Sequence, residues 1–194
     1  YDFFKEVFPD TLDLMPNLVE EYFQNPTSSL AIMRCNPWTV EDKVLLIGDA
    51  AHATVPFYGQ GMNAGFEGCF VLDQLMQKHG EDWQACFDEY SKIRKPDGDG
   101  VQDLSMHNFI VMRDKTADPK FLLQKKIELH FSKKYPDMWL PLYSMVSFST
   151  IRYSEAWEIG QQQEKLMQKV MDVPNIEDKW DSDEVEKLIL SLIA

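Results

Sequence analysis

The sequence predicts a mixed α/β chain, an α+β arrangement in which a small amount of sheet leads into a long run of helices. Three observations carry that reading. Val44-Leu45-Leu46-Ile47 is an apolar run without alternation, as expected of a strand covered on both faces. It stops at Gly48-Asp49 and gives way to a glycine-rich turn, and five of the chain's nine glycines fall between Val44 and Gly68. Beyond that turn, apolar residues recur at about every third or fourth position, the period of helices that bury one face.

Taken in order, Tyr1 to Gln24 reads as helix broken at Pro9 and Pro16, because proline removes a backbone donor and clashes with the preceding turn. Pro26 to Cys35 reads as a strand, and Asn36-Pro37 begins a crossing to the next one. After the strand at Val44–Ile47, the positions Met62, Phe66, Cys69, Phe70, Leu72, Leu75 and Met76 form one face of a helix from about Met62 to Gln77. Further helices are expected at Trp83–Ile93, Val101–Asp114, Lys120–Lys134 and Tyr153–Met171. The run Arg94-Lys95-Pro96-Asp97-Gly98-Asp99-Gly100 carries three strong breakers and reads as an interruption. From Asp172 to Lys187 the chain is acidic and contains proline, which suits a solvated linker or a weakly held helix, and Leu188–Ala194 is a brief apolar tail.

The stretch with the most chemistry in it is Gly48 to Gly65. Gly48 and Asp49 stand at the carboxyl end of the strand, where open α/β sheets place their ligands, and Asp49 is a candidate acceptor for a ligand hydroxyl. Ala50, Ala51 and Ala53 keep the turn slim, and Pro56-Phe57-Tyr58 supplies a rigid aromatic bend. Gly59-Gln60-Gly61 then opens a helix whose first turn has free N–H groups and a partial positive charge, suited to an anionic or electron-rich group. Gly59-x-Gly61-x-x-Ala64 also fits a loose dinucleotide fingerprint, but the strand ends eleven residues before Gly59 and no second strand follows the helix. No Gly-Lys-Ser/Thr occurs, so nucleotide hydrolysis has no support.

Gly48-Asp49-Ala50-Ala51-His52, Pro56, Gly59-Gln60-Gly61-Met62-Asn63 and Gly65 together resemble the second flavin fingerprint of the single-component, FAD-dependent aromatic hydroxylases. The resemblance continues in Arg94-Lys95-Pro96-Asp97, in Asp103-Leu104-Ser105-Met106, at Asn108 and from Pro141 to Tyr153, and so covers most of residues 1 to 153. It implies the carboxyl-terminal part of a flavin hydroxylase fold, completing an FAD-binding Rossmann-like domain and a substrate sheet. Residues 1–38 would end the substrate-binding domain and 39–100 would belong to the FAD-binding domain. Residues 101–171 would form a helical region, and 172–194 an acidic linker with a short tail.

The resemblance also assigns roles. Gly48, Asp49, Pro56, Gly59, Gly61, Met62 and Asn63 would contact FAD, with Asp49 on a hydroxyl of the ribityl chain. The N–H groups of Gly61, Met62 and Asn63 would face the pyrimidine edge of the isoalloxazine, where reduced flavin is negative. Pro56, Phe57 and Gln60 would wall the substrate, with Tyr58 beside them, and Asn108 and Tyr143 would lie near its amino-acid end. No side chain is needed as a nucleophile. Within the family the extended match VPFYGQGMNAGFEGC implies L-kynurenine as substrate, 3-hydroxykynurenine as product, molecular oxygen as oxidant and NADPH as cosubstrate. It implies as partner an amino-terminal part of the same protein, which holds the adenine end of FAD and an arginine for the substrate carboxylate. It also implies placement on the cytosolic face of the mitochondrial outer membrane. One departure is Val111, where relatives can carry an acid.

Each of these residues has an ordinary structural alternative. Asp49 after glycine is a common turn cap, His52 reads as a loop or core histidine, and Phe57 and Tyr58 are packing aromatics when taken alone. Asn108 and Tyr143 by default are a helix-surface or hydrogen-bonded residue. The alternative functions are a related hydroxylase of another aromatic acid and a non-catalytic flavin-binding interaction module.

The balance of 19 basic and 32 acidic residues gives a formal charge of −13, which argues against nucleic acid and against charge-driven anchoring on anionic lipid. Cys35, Cys69 and Cys86 are irregularly spaced with no CxxC, which fits reduced thiols and neither a disulfide framework nor a zinc site. The seven-residue apolar tail is too short to span a bilayer, for which about twenty residues are needed. Peripheral attachment through Trp180 and Leu188–Ile193, or a docking helix folded on the protein, are the two readings left for it.

Overall fold

The computed structural model describes residues 1–193 and is mostly helical. Two compact units divide at Leu30 and Ala31. In the first, α1 (Asp2–Val7), a 3₁₀ turn (Pro9–Leu14) and α2 (Leu18–Gln24) follow one another, with Pro9 and Pro16 at the breaks where the sequence places them. Phe3, Phe4 and Phe8 pack ring against ring, the centroids about 6 Å apart.

One expected strand is absent where the first unit ends and the second begins. Pro26–Cys35 forms no strand, since an extended segment becomes one only by pairing and no ladder partner is present among the described residues. The only sheet among those residues pairs β1 (Thr39–Val40) with β2 (Val44–Leu45), antiparallel, with Thr39 opposite Leu45. The expected strand at Val44–Ile47 is thus half as long as its apolar run. It is also not covered on both faces, with Val44 46% and Ile47 38% exposed. An unbroken apolar run reports a need for cover without saying what supplies it.

The turn α3 (Asp49–His52) leads to α4 (Gly61–His79), which begins one residue before the expected start and ends two beyond the expected end. The next helix, α5 (Trp83–Ile110), runs straight through the expected interruption at Arg94–Gly100, with Pro96 inside it. The reason is tertiary. A Cβ at Gly98 would stand 2.6 Å from the Trp38 ring, and one at Gly100 would stand 2.8–2.9 Å from the backbone of Tyr153 and Ser154. Both glycines therefore serve close approach, and packing overrides their helix-breaking tendency. The helix passes into a π turn (Val111–Lys115), and α6 (Pro119–Lys134), α7 (Leu142–Phe148) and α8 (Tyr153–Met171) follow. Asp118 caps α6 by accepting from Lys120 N at 2.8 Å, with Pro119 at the first position.

The segment after Asp172 is folded. α9 (Ile176–Lys179) and α10 (Asp183–Ile193) bury Ile176, Val185 and Ile189 in one cluster with Ile127, Phe131, Met167 and Val170. Glu186 accepts from both Lys134 and Tyr135. Of the expected tail, residues 188–193 thus dock on α6 and α8 and Ala194 lies outside the described residues, and no helix among the described residues is long and apolar enough to cross a membrane. A second cluster, Tyr58, Ala64, Val101, Leu104, Met145, Val146, Tyr153 and Ala156, lies under the glycine turn. It supports the site.

Candidate functional site

The glycine turn makes one wall of an open groove of about 660 Å³, lined by Gly48, Asp49, Pro56, Gly59, Gly61 and Met62 together with Ile47, Thr54, Val55, Gly65, Phe66 and Cys69. Six of the seven residues expected to hold a cofactor therefore meet in a single concavity. Gly48 (φ 55°) and Gly59 (φ 67°) are in backbone conformations that side-chain-bearing residues rarely adopt. The Gly48 carbonyl accepts from Ala51 and His52 N–H at 2.9 and 3.0 Å, folding α3 tightly and leaving Asp49 exposed on the groove. Gly59 N–H closes the bend onto the Pro56 carbonyl at 3.1 Å.

No side chain caps the start of α4. Its first intrahelical acceptor, the Gln60 carbonyl, is reached by Ala64 N–H at 2.9 Å, so the N–H groups of Gly61, Met62 and Asn63 are the helix's open donors. Added Cβ atoms at Gly48, Gly59 and Gly65 meet nothing within 4 Å, and at Gly61 only the Thr54 methyl at 3.6 Å. The backbone is bare along this wall. A flat, electron-rich ring that gains negative charge on reduction fits such a surface, because fixed N–H dipoles meet it without a side chain between. The carboxylate of Asp49 adds an acceptor for a hydroxyl.

The remaining expected residues form a second group beside the groove, and none of them lines it. Phe57 packs on Phe109 with centroids 4.6 Å apart, and its carbonyl accepts from Asn108 Nδ2 at 2.7 Å. Tyr58 is buried and stacked on exposed Tyr143 at 5.8 Å and 23°. Gln60 Oε1 accepts from Asn63 Nδ2 at 2.9 Å and from Tyr153 Oη at 3.1 Å. Burial pushes both the Tyr58 and Tyr153 phenols up to about 12, so each stays a neutral hydroxyl. His52 is buried against Trp38, and burial lowers its pKa. It is a neutral core residue, in line with the structural alternative for it.

Sequence reasoning assigned no role to the charged cluster that holds this wall in place. Arg94, 2% exposed, lies in α5 and donates to the Ala64 carbonyl of α4 at 3.2 Å and to Asp97 at 3.2 Å, and it pairs with Glu67 at 3.0 Å. Asp97, 1% exposed, also accepts from Arg152 Nε at 3.0 Å and from Ser154 Oγ at 2.7 Å and N at 3.3 Å. Three helices are thereby tied together behind the glycine turn. The available signal was an arginine and an aspartate three residues apart within a supposed loop, a spacing that faces one side of a helix. Gln102 does similar work further along, donating to the Met33 and Ala53 carbonyls at 2.8 Å each.

Residues 15–105 match the FAD binding domain family. The chain is 56% identical over 191 residues to a kynurenine 3-monooxygenase of Flavobacterium psychrophilum, covering 98% of this chain and 43% of that protein. It is 54% identical to the one from Flavobacterium johnsoniae, over 99% of this chain and 43% of the relative. The Sus scrofa enzyme of the same name is 44% identical over 86% of this chain and 36% of its own length. The chain spans about two fifths of the length of these curated relatives.

Proposed function

We infer the function from the premise that this chain belongs with the FAD-dependent hydroxylases of the kynurenine 3-monooxygenase kind. In the complete protein it would supply the isoalloxazine-facing wall and part of the substrate pocket of an enzyme that hydroxylates L-kynurenine to 3-hydroxykynurenine with NADPH and molecular oxygen. The observation that carries this reading is the meeting of Asp49 with the uncapped start of α4 in one bare, glycine-lined groove. FAD, when bound, supplies the oxygen-transfer chemistry. The protein's own residues bind, orient and exclude water.

Asp49 would accept from a ribityl hydroxyl, and the N–H groups of Gly61, Met62 and Asn63 would stabilise negative charge on the pyrimidine edge. Pro56, Phe57 and Tyr58 would close the substrate side against water. Asn108 has its amide committed to the Phe57 carbonyl, so it would act first by fixing the aromatic bend and would meet substrate through its remaining carbonyl. Tyr143, exposed and stacked on Tyr58, is free at its hydroxyl to reach the amino-acid end. Segment 39–100 would thus carry the flavin face, and 101–171 the backing of the substrate side. Attachment to the mitochondrial outer membrane, if the complete protein has it, would have to come from surfaces other than the buried face of α10.

The test uses the complete protein loaded with FAD. NADPH oxidation is followed with and without L-kynurenine and the product is identified by mass and retention. Kynurenine-stimulated oxidation coupled to 3-hydroxykynurenine is expected. Stimulation without a hydroxylated product would make kynurenine an effector only, and no stimulation would remove it as the substrate.

A further inference from the structure

A second cavity of about 350 Å³ opens among α5, α6, α7 and α8 and shares no lining residue with the glycine groove. Its apolar wall is the Trp157 ring, met edge-on by His107 at 5.7 Å, and Leu142. Leu142 reaches in because residue 160 is glycine, where a Cβ would lie 2.7 Å from Leu142 Cδ1. The opposite wall is polar and built. Lys125 donates to both oxygens of Glu128 at 3.0 and 2.8 Å, and Gln124 bridges Glu128 and Glu164 at 2.9 Å each, with Gln124 and Glu128 more than nine-tenths buried.

Some groups on this lining have no partner within the described residues. Glu164 accepts through Oε2 alone, so its other oxygen is open, and the Lys165 ammonium and the His107 ring make no hydrogen bond to the protein. One open anion and one open cation beside a flat apolar wall suit a ligand with both charges and a ring. The volume is that of a small-molecule site. The geometry points to a binding site for a small zwitterionic amino acid bearing a planar ring. Its ammonium would lie on Glu164, its carboxylate on Lys165 and its ring against Trp157.

The position gives such binding a consequence. His107 immediately precedes Asn108, which holds the Phe57 carbonyl, and Leu142 immediately precedes Tyr143, which stacks on Tyr58. The cavity and the proposed substrate wall are thus two sides of the same helix segments, and an occupant bears on that wall through α5 and α7. This consequence rests on the hydroxylase reading; the binding does not.

L-tryptophan serves as the probe, titrated calorimetrically into the complete, FAD-loaded protein, with N-acetyl-L-tryptophan amide as the uncharged control. Saturable binding of L-tryptophan and none of the control is expected. Glu164→Gln and Lys165→Met should each weaken it about tenfold or more, as loss of a charge-assisted hydrogen bond does. Lys165 has no partner to lose, so Lys165→Met still decides the question if Glu164→Gln disturbs the Gln124 bridge. Absence of saturable heat up to the solubility limit, or unchanged affinity in Lys165→Met, would overturn the assignment. The signal is heat rather than turnover, so a failure of kynurenine hydroxylation leaves this test intact.

Discussion

The same substitution, glycine to alanine inside a helix, should have opposite effects at two positions of this chain. Intrinsic propensity favours alanine by about 1 kcal/mol at either site. At Gly65 nothing lies within 4 Å of an added Cβ, so that gain stands. At Gly100 the Cβ would sit 2.8 Å from Ser154 N, 2.9 Å from Ser154 Cα and 2.9 Å from Tyr153 C. These are backbone atoms that no rotamer change can move, so α5 and α8 must separate by roughly half an ångström to restore ordinary contact. That gap opens beside Val101, Tyr153 and Ala156 in the cluster under the glycine turn. Overpacking of this kind costs about 1–3 kcal/mol and more where rigid backbone is involved, which exceeds the propensity gain. At about 1 °C per kcal/mol for a protein of the length of these relatives, Gly100→Ala should melt about one to a few degrees below the parent, and Gly65→Ala at or slightly above it in the absence of FAD. Thermal unfolding of the complete protein with and without FAD is the assay. Gly65→Ala should also bind FAD about tenfold more weakly, because its methyl group enters the groove the flavin would occupy. A Gly100→Ala protein as stable as the parent would refute the backbone contact. A Gly65→Ala protein with undiminished FAD affinity would show that the flavin does not approach this wall.

Other consequences follow from the buried polar groups. Asp97→Asn removes the carboxylate shared by Arg94 and Arg152 and should cost about 3–5 kcal/mol, read as a fall in the unfolding midpoint, with a neutral result excluding the clamp. Asn108→Ala frees the Phe57 bend and should raise the KM for kynurenine about tenfold while FAD affinity stays near the parent value; equal losses in both would place Asn108 in general scaffolding instead. Tyr58 and Tyr153 have folded pKa values of about 12 against an ordinary 10, so their neutral forms are favoured in the native state. Their contribution is fully present below pH 10 and is lost as pH rises from 10 through 12, and urea midpoints for the Tyr58→Phe, Tyr153→Phe double variant should fall less steeply over that range. His52, whose pKa is lowered by burial, acts at the other end, with stability present above pH 6.5 and declining as the pH falls below it, a slope that His52→Gln should flatten.

How much of this was legible in the sequence depends on which force set each element. The bounds of α8 agree with the periodicity, and those of α4 fall within two residues of it, because one apolar face of each packs on neighbouring helices and that face is written at a 3.6-residue period. The glycine turn was legible for a different reason. Positive φ at Gly48 and Gly59 demands a particular residue type, so the backbone conformation is recorded in the sequence itself. The α5 helix misled in the same terms. Gly98 and Gly100 look like breakers, yet they are there because Trp38 and the Tyr153–Ser154 backbone come too close for a side chain. A glycine required by a distant neighbour and one required by its own φ are indistinguishable in one sequence. Pro26–Cys35 failed as a strand because pairing belongs to two segments and only one was read.

The same distinction sharpens the part Gln60 plays. From sequence it is a substrate-facing amide that offers both a donor and an acceptor. In the structure its Oε1 is already taken by Asn63 Nδ2 and by the Tyr153 hydroxyl. That hydroxyl remains a donor at any ordinary pH, because burial holds its pKa near 12. What Gln60 has left is its NH₂, so toward a substrate it would act as a donor alone. An electron-rich ring bearing a carbonyl satisfies such a group, whereas a ring presenting only N–H or O–H at that place leaves a donor facing a donor. Such an arrangement would select by leaving the half-buried amide donor unsatisfied, which discriminates more strongly than an apolar contact does. Tyr153→Phe combined with Asn63→Ala would remove both donors to Oε1 and let the amide present either face, so the signature of the double variant should be a loss of discrimination between carbonyl-bearing and carbonyl-lacking aromatic amino acids, larger than any loss of FAD. If discrimination stays intact in that variant, Gln60 is not held as a donor and its role is confined to opening α4.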